Sequence, residues 1–343
     1  MLNIRCLLEA VHPQSGETSN RTSALKKIRL LQATHILILA LLTGSADATS
    51  DMPTEKSSFY FGRYTLQVPT DGADIWSAYK VVGQNIEHIS HDGKRDLETR
   101  LPNVISKINK LHKVGYAAYE QTVSLEGGGA VVVSRSTSYD FDIYYMTASN
   151  TLYRQVVEGI PLNALNQVIT LAKELNTLIH DRNPTESPPS NTFALEAGYM
   201  NLPVDTFEEQ VSIGLPVSSV PGIHLTFDTQ RIGQPEPGLI ARYEQRTSGV
   251  ITSVLSNVLS STSVLRKSKR TVAGLPFEEL LLKTRADGRT LYAFRLEYPG
   301  TPESSMEPYT VLELSTLDKG VGFKSDQEAL RFWDEMVRSM KRI

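Results

Sequence analysis

Cys6 is the only cysteine in this 343-residue chain, and it lies ahead of an export signal. Lys26, Lys27 and Arg29 form a positive segment, residues 33–42 (ATHILILALL) an apolar run, and Ala46-Asp47-Ala48 a small-x-small cleavage pattern. An apolar run of about ten residues is half of what a spanning helix needs. Cleavage at Ala46 and Ala48 leaves a mature chain without cysteine. Such a chain has no disulfide, no thiolate metal site, no thiol nucleophile and no lipid attachment site. Its core alone must hold it, which about 290 residues can supply. The expectation is a soluble periplasmic protein with a signal peptide at 1–48 and no stable membrane insertion.

The composition is ordinary for a globular protein, with 40% apolar and 21% charged residues and a net charge of −3. Residues 1–48 hold five basic and three acidic groups, so the mature chain is near −5. That balance gives no footprint for nucleic acid. The length favours two domains. Residues 181–191 (DRNPTESPPSN) are polar, Pro- and Ser-rich and without apolar periodicity, which marks a boundary. The expected division is an N-terminal domain at 57–182, a linker at 183–191 and a C-terminal domain at 192–343.

In the first half, FYFGRYTLQV and DIWSAYKVVGQNIEHI read as strands. Leu97, Leu101, Ile105, Ile108 and Leu111 have helical spacing, with Pro102 as a candidate helix start. YAAYEQTVSLE and AVVVSRSTSYDFDIYYMTA flank a GGG turn as a hairpin, and residues 162–179 form an amphipathic helix. In the second half, TFALEAGYMN, EEQVSIGL, GIHLTFDTQR and LIARYEQRT read as strands. A helix is expected from Val250 through Leu265. EELLLKTR and TLYAFRLEY flank an Asp-Gly hairpin turn at 287–288. Ser325 and Glu328 form a capping box ahead of Leu330, Trp333, Val337 and Met340 at helical spacing. Each half is an antiparallel sheet packed with helices, so the fold class is α+β.

Catalytic chemistry is sparse. No nucleophile elbow, phosphate loop or dinucleotide fingerprint is present, and no cofactor is implied. His88 and His91 sit at a strand end, where residues three apart face opposite ways, so no metal site is expected. Asp140 and Asp142, two apart on a strand, can share a face, as paired carboxylates of glycosidases do, or stand on a solvated strand face. Tyr139, Phe141, Tyr144 and Tyr145 around them suit a protein-binding surface or ordinary core packing. Glu279, beside the tight loop at Gly274 and Pro276, fits a structural carboxylate that accepts backbone N–H groups.

Several motifs together resemble a known family. RTVAGLPFEELL (270–281), with Gly274, Glu278 and Glu279, is similar to a basic-x-V-x-G-x-x-G-E-E element. LYAFRLEYPGTPESSMEPYTVLELST (291–316) looks like the element after it, and DQEALRFWDEMVRSM (326–340), with Trp333, like the closing helix. FYFGRYTLQVP, with Gly62, Arg63 and Pro69, is similar to the opening motif, and TFALEAGYMN to the start of the second domain. In this order they resemble the immunity proteins that accompany type VI secretion phospholipase effectors. Phe277 stands where the family has Gly, and would need a backbone that glycine adopts more freely. Phe61 and Ala194 stand where it often has Cys.

The resemblance implies a non-catalytic periplasmic protein. It implies two α+β domains arranged like a claw, which grip a cognate lipase effector of the α/β-hydrolase fold and hold its lid closed. The strand Tyr139–Tyr145 is the expected contact. The alternatives are an exported hydrolase using Asp140 and Asp142, and an envelope chaperone or adaptor for an effector.

Overall fold

The opening motif bends back on itself at its glycine. This computed structural model describes residues 56–343 apart from 71, 73, 114, 184–185, 236, 249–261, 287 and 318–320. The leader at 1–48, with Ala46 and Ala48, lies outside the described residues. β1 (Ser57–Phe61) and β2 (Tyr64–Val68) pair antiparallel, with Phe61 opposite Tyr64 across a turn at Gly62-Arg63. Gly62 has φ 53°, and a Cβ there would come within 2.9 Å of Val211 Cγ2, so conformation and space both demand glycine. The motif is therefore a hairpin and not one strand. Phe61, Tyr64, Leu66 and Val68 are all fully buried.

DIWSAYKVVGQNIEHI is likewise a hairpin, of β3 (Trp76–Val81) and β4 (Gln84–Ser90). Helix α1 (Gly93–His112) follows, and it starts nine residues before Pro102, which lies inside it. β5 (Ala118–Ser124), β6 (Ala130–Arg135), β7 (Tyr139–Met146) and β8 (Leu152–Ile160) form a meander. Helix α2 (Leu165–Leu178) packs against β7. β9 (Ile179–Asp181), β10 (Phe193–Ala194) and β11 (Gly198–Met200) make a small sheet.

β12 (Glu209–Pro216) and β13 (Ile223–Gln230) lead to helix α3 (Leu239–Ser248). LIARYEQRT is thus helical, not a strand. Its N-terminus is held by Glu278, whose carboxylate accepts the Ile240 N–H at 2.8 Å. β14 (Thr262–Val272), β15 (Leu275–Ala286), β16 (Arg289–Tyr298) and β17 (Tyr309–Thr316) follow. The helix expected from Val250 falls mostly outside the described residues, and its last member, Leu265, is in β14. Phe277 sits in β15 as a fully buried strand residue, so it needs no glycine-like backbone. The left-handed conformations fall instead on Ala273 and Gly274, at φ 51° and 82°, which turn β14 into β15. Helix α4 (Asp326–Ser339) and β18 (Lys341–Arg342) close the chain.

Twelve strands form one sheet in the order β14-β15-β16-β17-β13-β12-β3-β4-β8-β7-β6-β5, with every pairing antiparallel. The sheet crosses between the halves where β3 pairs with β12, and Thr54–Ile343 cluster as one unit. One face carries the β1-β2-β18 sheet, through the Phe61–Phe227 ring contact at 4.5 Å, and α4, through Trp333 against Phe294 at 5.8 Å. The fold is α+β.

The residues of the opening motif tie this arrangement together. The Arg63 guanidinium donates from Nε to Glu209 Oε2 at 2.7 Å and from Nη2 to Glu209 Oε1 at 2.6 Å, and both side chains are buried. Nη1 donates to the Asn191 carbonyl at 2.6 Å, and the Arg63 carbonyl accepts the Ile343 N–H at 3.0 Å. Gly62 exchanges both backbone hydrogen bonds with Ala194. Phe61 and Ala194 therefore meet at one junction, filled by fully buried apolar groups.

A second buried carboxylate anchors α4. Glu279 is fully buried and accepts Trp333 Nε1 at 2.8 Å, Ser268 Oγ at 3.0 Å and Arg270 Nη1 at 3.0 Å. Its partners are side chains, not the backbone N–H groups expected. Arg266 and Arg270 also clasp Asp334 on α4, at 2.7 and 2.9 Å.

Two expected outcomes follow from these pairs. Arg63→Ala strands Glu209 as an uncompensated buried charge, and should cost about 3–5 kcal/mol in urea unfolding. At Asp334, the hydrogen bond from Arg266, followed by that from Arg270, holds the carboxyl below the usual carboxylate range. Its contribution is complete above the unfolded-state value near about 3.9 and is lost as pH falls through the lower folded value. Unfolding measured below about pH 4 should therefore show a flatter acid limb in Asp334→Asn than in the wild type.

Candidate functional site

Residue alternation gives the sheet a second face, and among the described residues helices pack on its two ends. At one end α1 packs on Ala130, Val132, Tyr144, Met146 and Leu152 through Leu97, flanked by Leu101, Val104, Ile105 and Ile108. At the other end α3 lies over β15 and β16, fixed by Glu278 at its N-terminus and by Arg242, which donates to both Glu297 oxygens at 2.7 Å. Among the described residues, no helix makes an extensive contact with β3, β12, β13 or β17 on this face.

The register shows what the uncovered strands present. One row runs Trp76–Gly214–Thr226–Glu313–Arg295, and the next Ala78–Ser212–Asp228–Val311–Glu297. A third runs Lys80–Gln210–Gln230–Tyr309, and a fourth Pro216–His224–Ser315–Ala293. The centre of the platform is built of small side chains: Ala78, Ser212, Gly214 and Thr226. Trp76 is the exception, since 48% of it is exposed. It lies flat against Gly214, where any Cβ would fall 1.8 Å from Trp76 Nε1. Gly214 thus serves as the seat of an exposed indole, the residue type enriched at the centres of protein interfaces.

The platform's charges are arranged as satisfied ladders. Arg295 donates to Glu297 at 2.8 Å and to the Tyr309 hydroxyl at 2.9 Å, and also binds Glu313. Ser212 donates to Asp228 at 2.6 Å. Burial pushes His224 below its ordinary value, so it presents a neutral imidazole at neutral pH. Beyond the third row a cavity of about 400 Å³ opens between Lys80, Glu208, Gln230 and Arg231. The platform thus combines internally hydrogen-bonded charges and small side chains with one exposed indole.

The strand Tyr139–Tyr145, the contact expected from the sequence, lies mostly in the interior. Tyr139, Phe141, Tyr144 and Tyr145 are core residues, at most 6% exposed, because β7 is an inner strand between β6 and β8 and its face residues meet α1 or the opposite core. Asp140 accepts the Gly159 N–H at 2.8 Å, and Asp142 takes a two-pronged pair from Arg154 at 2.6 and 2.9 Å. Both acids are committed to the fold, and neither is arranged as an acid–base pair. The motif residues Gly62, Arg63, Gly274, Glu278, Glu279 and Trp333 are structural in the same sense. Pro69 lies just beyond β2, where its carbonyl accepts the Ser218 N–H at 3.0 Å.

His88 and His91 differ from expectation in geometry. A register shift between His88 and Ser90 places their rings 4.5 Å apart instead of on opposite faces. Among the described residues no group of three or more metal-ligating side chains forms. Sequence reasoning read Trp76 only as part of a strand. Its exposure depends on Gly214, 138 positions later, and the pairing of the two was invisible locally.

The seat of Trp76 can be checked through its own fluorescence, since Trp333 is the only other tryptophan. In a Trp333→Phe background, acrylamide quenching should be strong. Adding Gly214→Val should displace the indole and raise quenching further. Trp76→Ala alone should change stability by less than about 0.5 kcal/mol.

Residues 186–342 match the family described as the Tle cognate immunity protein 4 C-terminal domain. Three solved structures are similar to this chain. The apo immunity protein TplEi of the type VI secretion system from Pseudomonas aeruginosa is 23% identical with a TM-score of 0.72, covering 84% of this chain and 97% of that one. TplEi complexed with "L" peptide is 24% identical with a TM-score of 0.71, covering 84% and 98%. The Tle4–Tli4 complex matches at 23% identity and a TM-score of 0.74, covering 84% and 97%. No curated protein matches in sequence. Among the described residues no helix is long and apolar enough to cross a membrane. Residues 186–342 are thus similar to the Tle cognate immunity protein 4 C-terminal domain, and most of the chain shares the fold of these solved structures.

Proposed function

We propose that this protein binds a cognate type VI phospholipase effector in the periplasm and keeps its lid closed, sparing the cell from intoxication by itself or its kin. The family match over 186–342 supports the partner class. The observation that carries the surface is the uncovered platform with Trp76 seated on Gly214. Similar folds occur with a bound peptide and in a complex named for an effector and its immunity protein. In this reading the leader at 1–48 delivers the chain. The domains 57–182 and 192–343, joined at 183–191, share one sheet, so the face between α1 and α3 acts as a single surface.

The thermodynamics is that of a biased two-state element. A lid that opens onto lipid has closed and open states. A partner that binds only the closed state shifts the balance by its differential affinity, and about 5.5 kcal/mol takes 1:99 to 99:1. Protection calls for an interface of standard size with a buried aromatic anchor.

Purified chain should form a complex with a cognate type VI phospholipase and suppress its hydrolysis of phospholipid vesicles. Trp76→Arg, which leaves the folded core untouched, should weaken binding by about 10²-fold, within the range of a hot-spot loss. Calorimetry showing no complex for the wild-type chain would remove the proposed function. Unchanged affinity for Trp76→Arg would remove the platform from the interface.

A further inference from the structure

Helix α1 carries an imbalance of charge that no ion pair among the described residues resolves. Residues 93–113 hold six Lys or Arg and two acids, a surplus of four cations in a chain whose net charge is −3. Elsewhere among the described residues, about half of the cations sit in ion pairs. Arg63, Arg154, Arg231, Arg242, Arg266, Lys267, Lys269, Arg270, Lys283 and Arg295 each have a carboxylate partner. On α1 only Arg95 approaches one, at 4.0 Å from Asp92. Lys94, Arg100, Lys107, Lys110 and Lys113 are exposed, and among the described residues none of them is paired.

The imbalance has a direction. The apolar side of α1 is spent on the sheet through Leu97, Leu101, Val104, Ile105 and Ile108, so the cations project outward. A groove of about 630 Å³ opens along the helix between Leu101, Pro102, Ile105 and Asn109, with Lys110 and Lys113 at its rim. An apolar slot bordered by unpaired ammonium groups fits an acidic polypeptide segment that carries one apolar side chain. It fits a lipid surface less well, because an interfacial helix needs a broad free apolar face to bury and most of α1's apolar side is turned to the sheet.

We infer that α1 is a cationic docking surface for an acidic segment of the protein partner, and that it steers association while the Trp76 platform holds the complex. The inference rests on the proposed function, and the two predict different kinetics. Rim charges act on the association rate and its salt dependence, whereas a desolvated anchor acts on dissociation.

The test is Lys107→Glu/Lys110→Glu/Lys113→Glu against the cognate phospholipase, made inactive at its serine nucleophile. Association is followed at about 0.02 M and about 0.3 M salt, between which screening strengthens several-fold. The expected result is a fall of about tenfold or more in association rate at low salt and a weaker salt dependence, with little change in dissociation. The neutral triple Lys107→Gln/Lys110→Gln/Lys113→Gln should show a smaller loss, and thermal unfolding of both should match the wild type. Association and salt dependence equal to wild type would overturn the inference while leaving the proposed function intact. A wild-type chain that binds no lipase overturns both. Vesicles of phosphatidylglycerol and phosphatidylethanolamine provide the remaining arm: binding by the wild type that the triple variant loses would assign the surface to anionic lipid and overturn the protein partner.

Discussion

The buried pair of Arg63 and Glu209 is the constraint on which the rest depends. Taking two charges out of water is expensive, and mutual attraction repays it only with near-ideal geometry and further hydrogen bonds. Here Arg63 meets both Glu209 oxygens and also the carbonyls of Asn191 and Leu202. The result is a junction where the first hairpin, the crossing segment, the start of β12 and the C-terminal residue converge. A chain with no cysteine after Cys6 has no covalent means of fixing that convergence. A directional ion pair does so instead, because wrong registers would leave a buried charge unpaired.

Glu279 repeats the device at the other end. Its carboxylate collects an indole N–H, a hydroxyl and guanidinium groups from α4 and β14. Glu278, the next residue, points to the opposite face and holds the start of α3. The paired glutamates thus fasten one helix to each side of the sheet, which follows from strand alternation. With the helices so placed, no helix among the described residues packs extensively on the middle of this face, where Trp76 stands.

That face is shaped by restraint. Its charges are mostly neutralised within the protein, and its central side chains are small. A flat, satisfied surface costs little desolvation when a partner covers it, so one exposed indole can dominate the contact. Helix α1 is the opposite case, with unresolved charge held outward. The two surfaces divide the tasks of holding and steering.

Composition, periodicity and turn chemistry determined a good deal. The α+β class, the amphipathic helices at 93–112, 165–178 and 326–339, the Gly-rich hairpin and the Ser325 cap were all legible, because each rests on residues close in sequence. The order of short motifs, from Gly62-Arg63 to Trp333, was enough to suggest the family whose C-terminal domain residues 186–342 match. The tertiary structure decided the rest. LIARYEQRT became a helix because Glu278 caps it from 38 positions away. Tyr139–Tyr145 became core because strands flank it on both sides. Trp76 stayed outside because a glycine from the other half lies beneath it. In each instance the deciding group is remote in sequence, and only folding brings a remote carboxylate, strand or missing Cβ within reach.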